Sequence, residues 1–294
     1  MIAVPRFDLL ASGVLVSTNA TDAATYNAGT TYALDATCAY ASRTWLSLQA
    51  GNTGHTPDTE PLWWQDDGPL NTQAMFDTSV QTATITTGGL TVTLKTGRAT
   101  VVSLMGLVGQ AATITVRDGL AGPVIYTDTK TLRISDGTYY AWCFEDFLQQ
   151  TDATWTGLLG SIDGHITIEI TGAGTTACGL CVVGKQIDIG QAEYGFSTPI
   201  EDRGRDYLDA LGNPVSIERG HSKTATGTLV SSVASYNRLM AFYAANRGEI
   251  CLFIAAPDLA DLVAANILGK IARVVPVIAN PVQITTSLEI SGTR

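Results

Sequence analysis

The sequence predicts a mainly β protein: a small aromatic β module over residues 1–72, a central β-sandwich of jelly-roll type over 73–190, an extended arm over 191–223, and a C-terminal α+β domain over 224–294 with one main helix. Three observations predict it. Short segments alternate apolar and polar residues with a period of two, turn-forming dipeptides separate them, and one stretch alone carries a convincing apolar repeat of helical period. The composition agrees. Of 294 residues, 45% are hydrophobic and 15% charged, with Thr, Ala and Gly abundant. A disordered chain would carry more charge and fewer β-branched residues. This balance suits a β-rich protein that buries surface against other subunits.

The first module is defined by its rings. Tyr26-Asn27-Ala28-Gly29-Thr30-Thr31-Tyr32, the run Trp45 to Pro57 and Leu62-Trp63-Trp64-Gln65-Asp66 place three of the five tryptophans in one short region. So small a segment cannot enclose three indoles in its own core, so some of the rings must lie on a neighbour or a ligand. Consecutive Trp63 and Trp64 on a strand face opposite ways, which leaves one ring available. A leading strand is expected at Gly13 to Thr18. In the sandwich, Leu90 to Lys95, Ala112 to Arg117 and His165 to Ile170 alternate cleanly, and Ala177 to Val183 reads as a buried strand. Thr87-Gly88-Gly89, Asp118-Gly119 and Ala121-Gly122-Pro123 supply turns. The arm holds a hairpin-like stretch, Tyr207 to Val215, with a Leu-Gly-Asn turn. In the last domain, Ser231 or Ser232 caps a helix whose apolar face is Val233, Tyr236, Met240 and Tyr243, stopped by Gly248. Strands are expected at Thr224 to Val230, Glu249 to Ile254, Ile271 to Val277 and Val282 to Ile290. In the last of these, Val282, Ile284, Leu288 and Ile290 should point inward.

Charge and motifs narrow the function. A formal net charge of −10 without a basic run argues against nucleic acid. No stretch of about 18 apolar residues predicts membrane insertion, and no leader is expected; the expected place of synthesis is a bacterial cytoplasm. Asn19-Ala20-Thr21 fits a glycosylation sequon that has no meaning without export. Five cysteines without framework spacing predict no disulfide scaffold, and Cys178-Gly179-Leu180-Cys181 reads as buried apolar residues rather than a metal or redox pair. Gly172 to Ala177 matches a dinucleotide fingerprint in letters, but a strand follows it where a helix N-terminus is needed, so a hairpin turn is expected. His55, His165 and His221 stand isolated, and Asp66-Asp67-Gly68 serves a polar turn better than calcium. No catalytic constellation, metal site or cofactor is predicted. An enzyme such as a glycan hydrolase needs two carboxylates about 5–9.5 Å apart, and the sequence nominates no such pair.

The aromatic module resembles small carbohydrate-binding modules of the chitin-binding type, in which a Tyr-x-x-Gly turn, an aromatic strand, an Asn-Thr-Gly-x-x-Pro loop and a final Trp build a three-stranded fold. Such modules recur in bacteriophage tail proteins. The resemblance implies rings that stack on pyranose faces and carboxylates or amides that take hydroxyls: Trp45, Trp63, Trp64, Tyr32 and Tyr40 with Asp66, supported by Gln49 and Gln65. The other use of these rings, packing within the module and on the sandwich, stays open. Val182 to Lys185, Ile187 to Gly190, Glu193-Tyr194-Gly195 and Ile217 to Lys223 resemble phage tail-tip proteins. The helix ending Ala244-Ala245-Asn246-Arg247-Gly248 is similar to the ring-forming domain of distal tail and baseplate proteins. This implies a virion tail component that forms a homo-oligomer, contacts other phage tail proteins and presents a module to host-surface glycan. The alternative is a receptor-binding or free carbohydrate-binding protein acting through the Trp-rich module.

Overall fold

The computed structural model describes residues 1–134, 138–144, 148–208, 211–217, 220–257 and 265–293. Antiparallel sheets dominate, as the period-two segments require. An outer sheet has the strand order Val124–Thr131, Ala111–Asp118, Gly164–Thr171, Leu90–Lys95, Leu15–Thr18. A middle sheet runs Ala153–Trp155, Val101–Val108, Thr175–Gly184, Thr84–Thr87. Between these two lies the sandwich core, where Leu90, Val92, Leu94, Ile114, Ile166 and Ile168 meet Val102, Leu104, Cys181, Val183 and Trp155. Alternate residues of the outer sheet, such as Thr91 and Glu169, face solvent.

The middle sheet is covered on both faces. Its second face places Val101, Met105, Leu180 and Val182 against Val4, Leu252, Ile254 and Leu268 of the C-terminal sheet. That explains why Thr176 to Gly184 is buried throughout rather than alternating. Both central strands switch faces at the same level: Met105 and Leu180 point to the C-terminal sheet, whereas Leu107 and Cys178 join the sandwich core. Gly106, at φ +65°, sits at this switch beside Gly179. A Cβ on Gly179 would lie 2.6 Å from the Val80 carbonyl oxygen, so glycine is required there.

The C-terminal sheet has the order Ile187–Asp188, Ile2–Pro5, Cys251–Ile254, Ile267–Ile278, Gln283–Gly292, Ala225–Ser232, Gln191–Ala192. The helix Tyr236–Ala245 covers the face away from the sandwich, packing Leu239, Phe242 and Tyr243 among Phe253, Ile267, Leu288 and Ile290. Ser232 accepts a hydrogen bond from the Ala234 amide, capping a 3₁₀ turn that precedes the helix proper. Within the helix the buried stripe is Leu239, Phe242 and Tyr243, at i, i+3 and i+4; Tyr243 is inside as expected, whereas Met240 is exposed, contrary to the expected face. Val282 also differs: it precedes the strand in the hairpin turn and is 69% exposed, while Ile284, Leu288 and Ile290 point inward as expected.

The N-terminal segments do not lead the aromatic module. Ile2–Pro5 pairs with Cys251–Ile254, and Leu15–Thr18 pairs with Leu90–Lys95, so the chain has built parts of two sheets before the module begins. The module leaves and rejoins the sandwich at one neck. There Asp22 accepts hydrogen bonds from the Thr72 amide (2.8 Å) and hydroxyl (2.9 Å), and the Asn71 amide group reaches the carbonyls of Thr21 (3.0 Å) and Ile85 (2.9 Å). In the arm, Ile200–Asp202 pairs with His221–Lys223 and Arg205–Leu208 with Pro214–Ile217, a hairpin turned near Gly212 at φ +82°. Asp209, Ala210, Glu218 and Arg219 lie outside the described residues. Another excursion, which the sequence did not announce, pairs Arg133–Ile134 with Leu148–Gln149 and includes the short helix Tyr139–Phe144. Among the described residues no helix is long and apolar enough to cross a membrane.

Candidate functional site

The aromatic module is a three-stranded antiparallel sheet, Thr37–Tyr40, Arg43–Ser47 and Trp64–Pro69. Ala41 and Ser42 form the two-residue turn between the first two strands, both with positive φ (50° and 61°), the conformation whose twist matches a tight hairpin. The module has a core of its own, formed by Trp64, Tyr32 and Cys38, with Tyr26, Ala36, Trp45 and Trp63 half-buried around them. Tyr32 and Tyr26 meet the Trp64 indole edge-on at centroid distances of 5.0 and 6.0 Å, an arrangement that aligns ring edges with π faces. The Trp64 indole N–H donates to the His55 carbonyl at 2.8 Å. Fully buried Asn52 exchanges backbone hydrogen bonds with Tyr32 (2.8 and 3.1 Å), and its side-chain amide donates to the Ser47 hydroxyl at 3.0 Å. This residue therefore ties the Asn-Thr-Gly loop to the sheet.

These positions decide what each expected ligand residue can do. Trp64 is 2% exposed and Tyr32 9%, so neither offers a ring face to a sugar; both are structural, because a module this small spends its largest apolar groups on its own core. The Tyr32 hydroxyl accepts a hydrogen bond from the Asn27 amide, closing the Tyr-Asn-Ala-Gly turn. Trp45 is half-buried and donates its indole N–H to the Tyr40 carbonyl at 3.1 Å, while the Tyr40 ring stands edge-on to Tyr26 at 5.6 Å. Asp66 is engaged: Arg43 Nε lies 2.6 Å from Oδ2, and Oδ1 accepts from the Gly68 amide at 2.9 Å. The Arg43 hydrogen bond holds this carboxyl below the usual carboxylate range. Gln49 likewise donates to the Leu62 carbonyl, and Gln65 is exposed on the edge strand.

Trp63 lies in the turn just before the strand that begins at Trp64, and its half-buried ring lands on His55 and stays within the module. The two rings stack at 3.9 Å with an interplanar angle of 10°, and His55 Nδ1 contacts the Glu60 carboxylate. Glu60 also accepts from the Thr56 amide at 3.3 Å, and its carbonyl receives the Trp63 (3.0 Å) and Trp64 (3.1 Å) amides. Trp63, His55 and Glu60 thus form one ledge, bordered by exposed Leu48 and Leu62. His55 is therefore not the isolated residue that sequence spacing suggests. The signal that could have found its partner is the five-residue distance to Glu60 within a proline-containing loop.

Other motifs resolve as structural parts. The Gly172 to Ala177 run connects the outer sheet to the middle sheet, so it is a crossover between layers rather than the expected hairpin. Cys178 and Cys181 are free, fully buried thiols; burial raises both, Cys181 to about 12. His165 is buried with Nδ1 2.8 Å from the Asp163 carbonyl. For His221 the backbone pairing with Asp202 is what the structure describes. Among the described residues no group of three or more His, Cys, Asp or Glu is placed to hold a metal ion. Compared with protein-family models and with characterised proteins, the chain matches none.

Proposed function

We propose that this chain is a structural protein of a bacteriophage tail tip or baseplate that assembles as a ring or hub and holds the aromatic module outward. The observation that carries the proposal is the neck. A module with its own core is inserted into a β-sandwich and clamped where its two chain crossings meet, by Asp22 and Asn71. Such a clamp fixes direction, which is what a scaffold that displays a binding element requires. The sequence resemblance to tail-tip proteins supports the same assignment, and the mechanism is binding and assembly.

A second reading, a receptor-binding or free carbohydrate-binding protein, draws support from the Trp63–His55 ledge. On either reading the glycan is neutral. Between Asp22 and Asn71 the sequence holds six carboxylates (Asp22, Asp35, Asp58, Glu60, Asp66 and Asp67) and a single arginine, Arg43, with no lysine, so the module repels anionic polymers. Mass spectrometry of gradient-purified virions from the source tests the assignment. The chain should co-sediment with capsid and tail proteins; a chain found only in the soluble lysate supports the free binding protein instead.

A further inference from the structure

A ring of the kind proposed above needs a contact by which one copy holds the next, and the contact inferred here rests on that ring. The distal arm, Arg205–Leu208 with Pro214–Ile217, is a two-stranded ribbon. The pairs Tyr207 with Val215 and Arg205 with Ile217 put Tyr207, Val215 and Ile217 on one face, with Arg205 at its border. Tyr207 is 44% exposed and Ile217 39%, and no described core cluster includes any of the three. A two-stranded ribbon standing alone in water is marginally stable at best. This one has an apolar face made to be covered.

A matching surface lies on the C-terminal sheet. The face opposite the helix is covered by the middle sheet at Leu252, Ile254 and Leu268, but it continues uncovered across Ala225–Ser232, Gln283–Gly292 and the far half of Ile267–Ile278. There Val275 and Val277 are exposed, and a groove of about 370 Å³ runs past Thr226, Thr228, Arg273, Val275, Ser287 and Glu289. We propose that the arm of one copy lies in this groove of the next, Tyr207, Val215 and Ile217 against Val275 and Val277, with Arg205 directed to Glu289.

Charge favours a second copy as the occupant. Over residues 200–223, Arg203, Arg205, Arg219 and Lys223 interleave with Glu201, Asp202, Asp206, Asp209 and Glu218, so the arm is nearly neutral in a chain of net charge −10. It is a segment that a like-charged copy repels little. One such ribbon contact covers less than a standard interface of about 1,600 Å². Each copy therefore uses it twice, once through its arm and once through its groove, which is the head-to-tail contact that closes rings.

Light scattering coupled to size exclusion tests this on the whole chain. Wild type should be oligomeric. An arm variant (Tyr207→Asp with Ile217→Asp) and a groove variant (Val275→Asp with Val277→Asp) should each be monomeric, with far-UV circular dichroism unchanged. Mixed in equal amounts, they should form a dimer, because one intact arm and one intact groove remain; that dimer also shows that both variants are folded. If both variants keep the wild-type mass, the arm contact is wrong while the oligomer stands. A monomeric wild type would overturn the ring itself.

Discussion

Replacing Trp64 by alanine should unfold the aromatic module and leave the rest of the protein standing. The side chain is 2% exposed and sits at the centre of a core that has only two other buried members, Tyr32 and Cys38. A buried tryptophan removes about 150–250 Å² from water, which at about 25 cal/mol per Å² is roughly 4–6 kcal/mol. Measured large-to-small changes of this kind cost about 3–5 kcal/mol. The lost hydrogen bond to the His55 carbonyl adds about 1 kcal/mol. A module of roughly 50 residues, at about 0.05–0.15 kcal/mol per residue, has about 2.5–7.5 kcal/mol to lose. The substitution therefore removes most or all of its stability. Trp63→Ala, by contrast, gives up a half-buried ring and one stacking contact worth about 0.5–1.5 kcal/mol, and the module should survive. Limited proteolysis with mass mapping reads this directly. Trp64→Ala should be cut between residues 22 and 71 while the sandwich and C-terminal sheet stay intact, and Trp63→Ala should resist. A Trp64→Ala module as resistant as wild type, or equal damage from the two substitutions, would refute the assignment of Trp64 to the core.

Asp22→Ala removes both hydrogen bonds from Thr72 and should speed amide exchange at Thr72 without melting the three-stranded sheet; equal acceleration throughout the sheet would mean the neck is no separate clamp. In the native protein Cys143 is exposed and the other four thiols are buried, with Cys38 and Cys251 pushed up to about 11 and Cys181 to about 12, so a thiol reagent at mildly alkaline pH should label Cys143 quickly and the rest only on unfolding. The lowered carboxyl of Asp66 gives a signed pH effect: its pairing with Arg43 contributes fully above the ordinary carboxylate range and is lost as pH falls through the depressed folded value. Protease resistance of the module should therefore decline in acid, and Asp66→Asn should flatten that part of the profile; an unchanged profile in Asp66→Asn would remove the pair as the cause.

The sandwich is legible in the sequence because its strands have one dry and one wet face, so Leu90 to Lys95, Ala112 to Arg117 and His165 to Ile170 announce themselves by alternation. The strand Gln283–Gly292 is legible for the same reason, whereas Cys251–Ile254 is buried on both faces and reads as a short apolar run between Gly248 and Pro257. The features that stay hidden depend on distant partners. Nothing local in Ile2–Pro5 says that it pairs with Cys251–Ile254, and the expected boundary of the module at residue 1 is wrong for that reason. The helix is legible but its buried face only in part: Tyr243 lies inside as expected, while Leu239 and Phe242 take the place expected of Met240, because apolar residues on more than one side of the helix offer two stripes to choose from. In the module the inventory of rings can be read from the sequence and their division cannot. Periodicity says that Trp63 and Trp64 part company; only the fold shows Trp64 inside against Tyr32 and Trp63 outside on His55.

Gold-tagged antibody against this chain, viewed by electron microscopy on intact and on disrupted virions, tests the central claim most directly. Gold should cluster at the tail tip, on intact particles or once disruption uncovers the epitopes. Particles that stay bare in both states would contradict it.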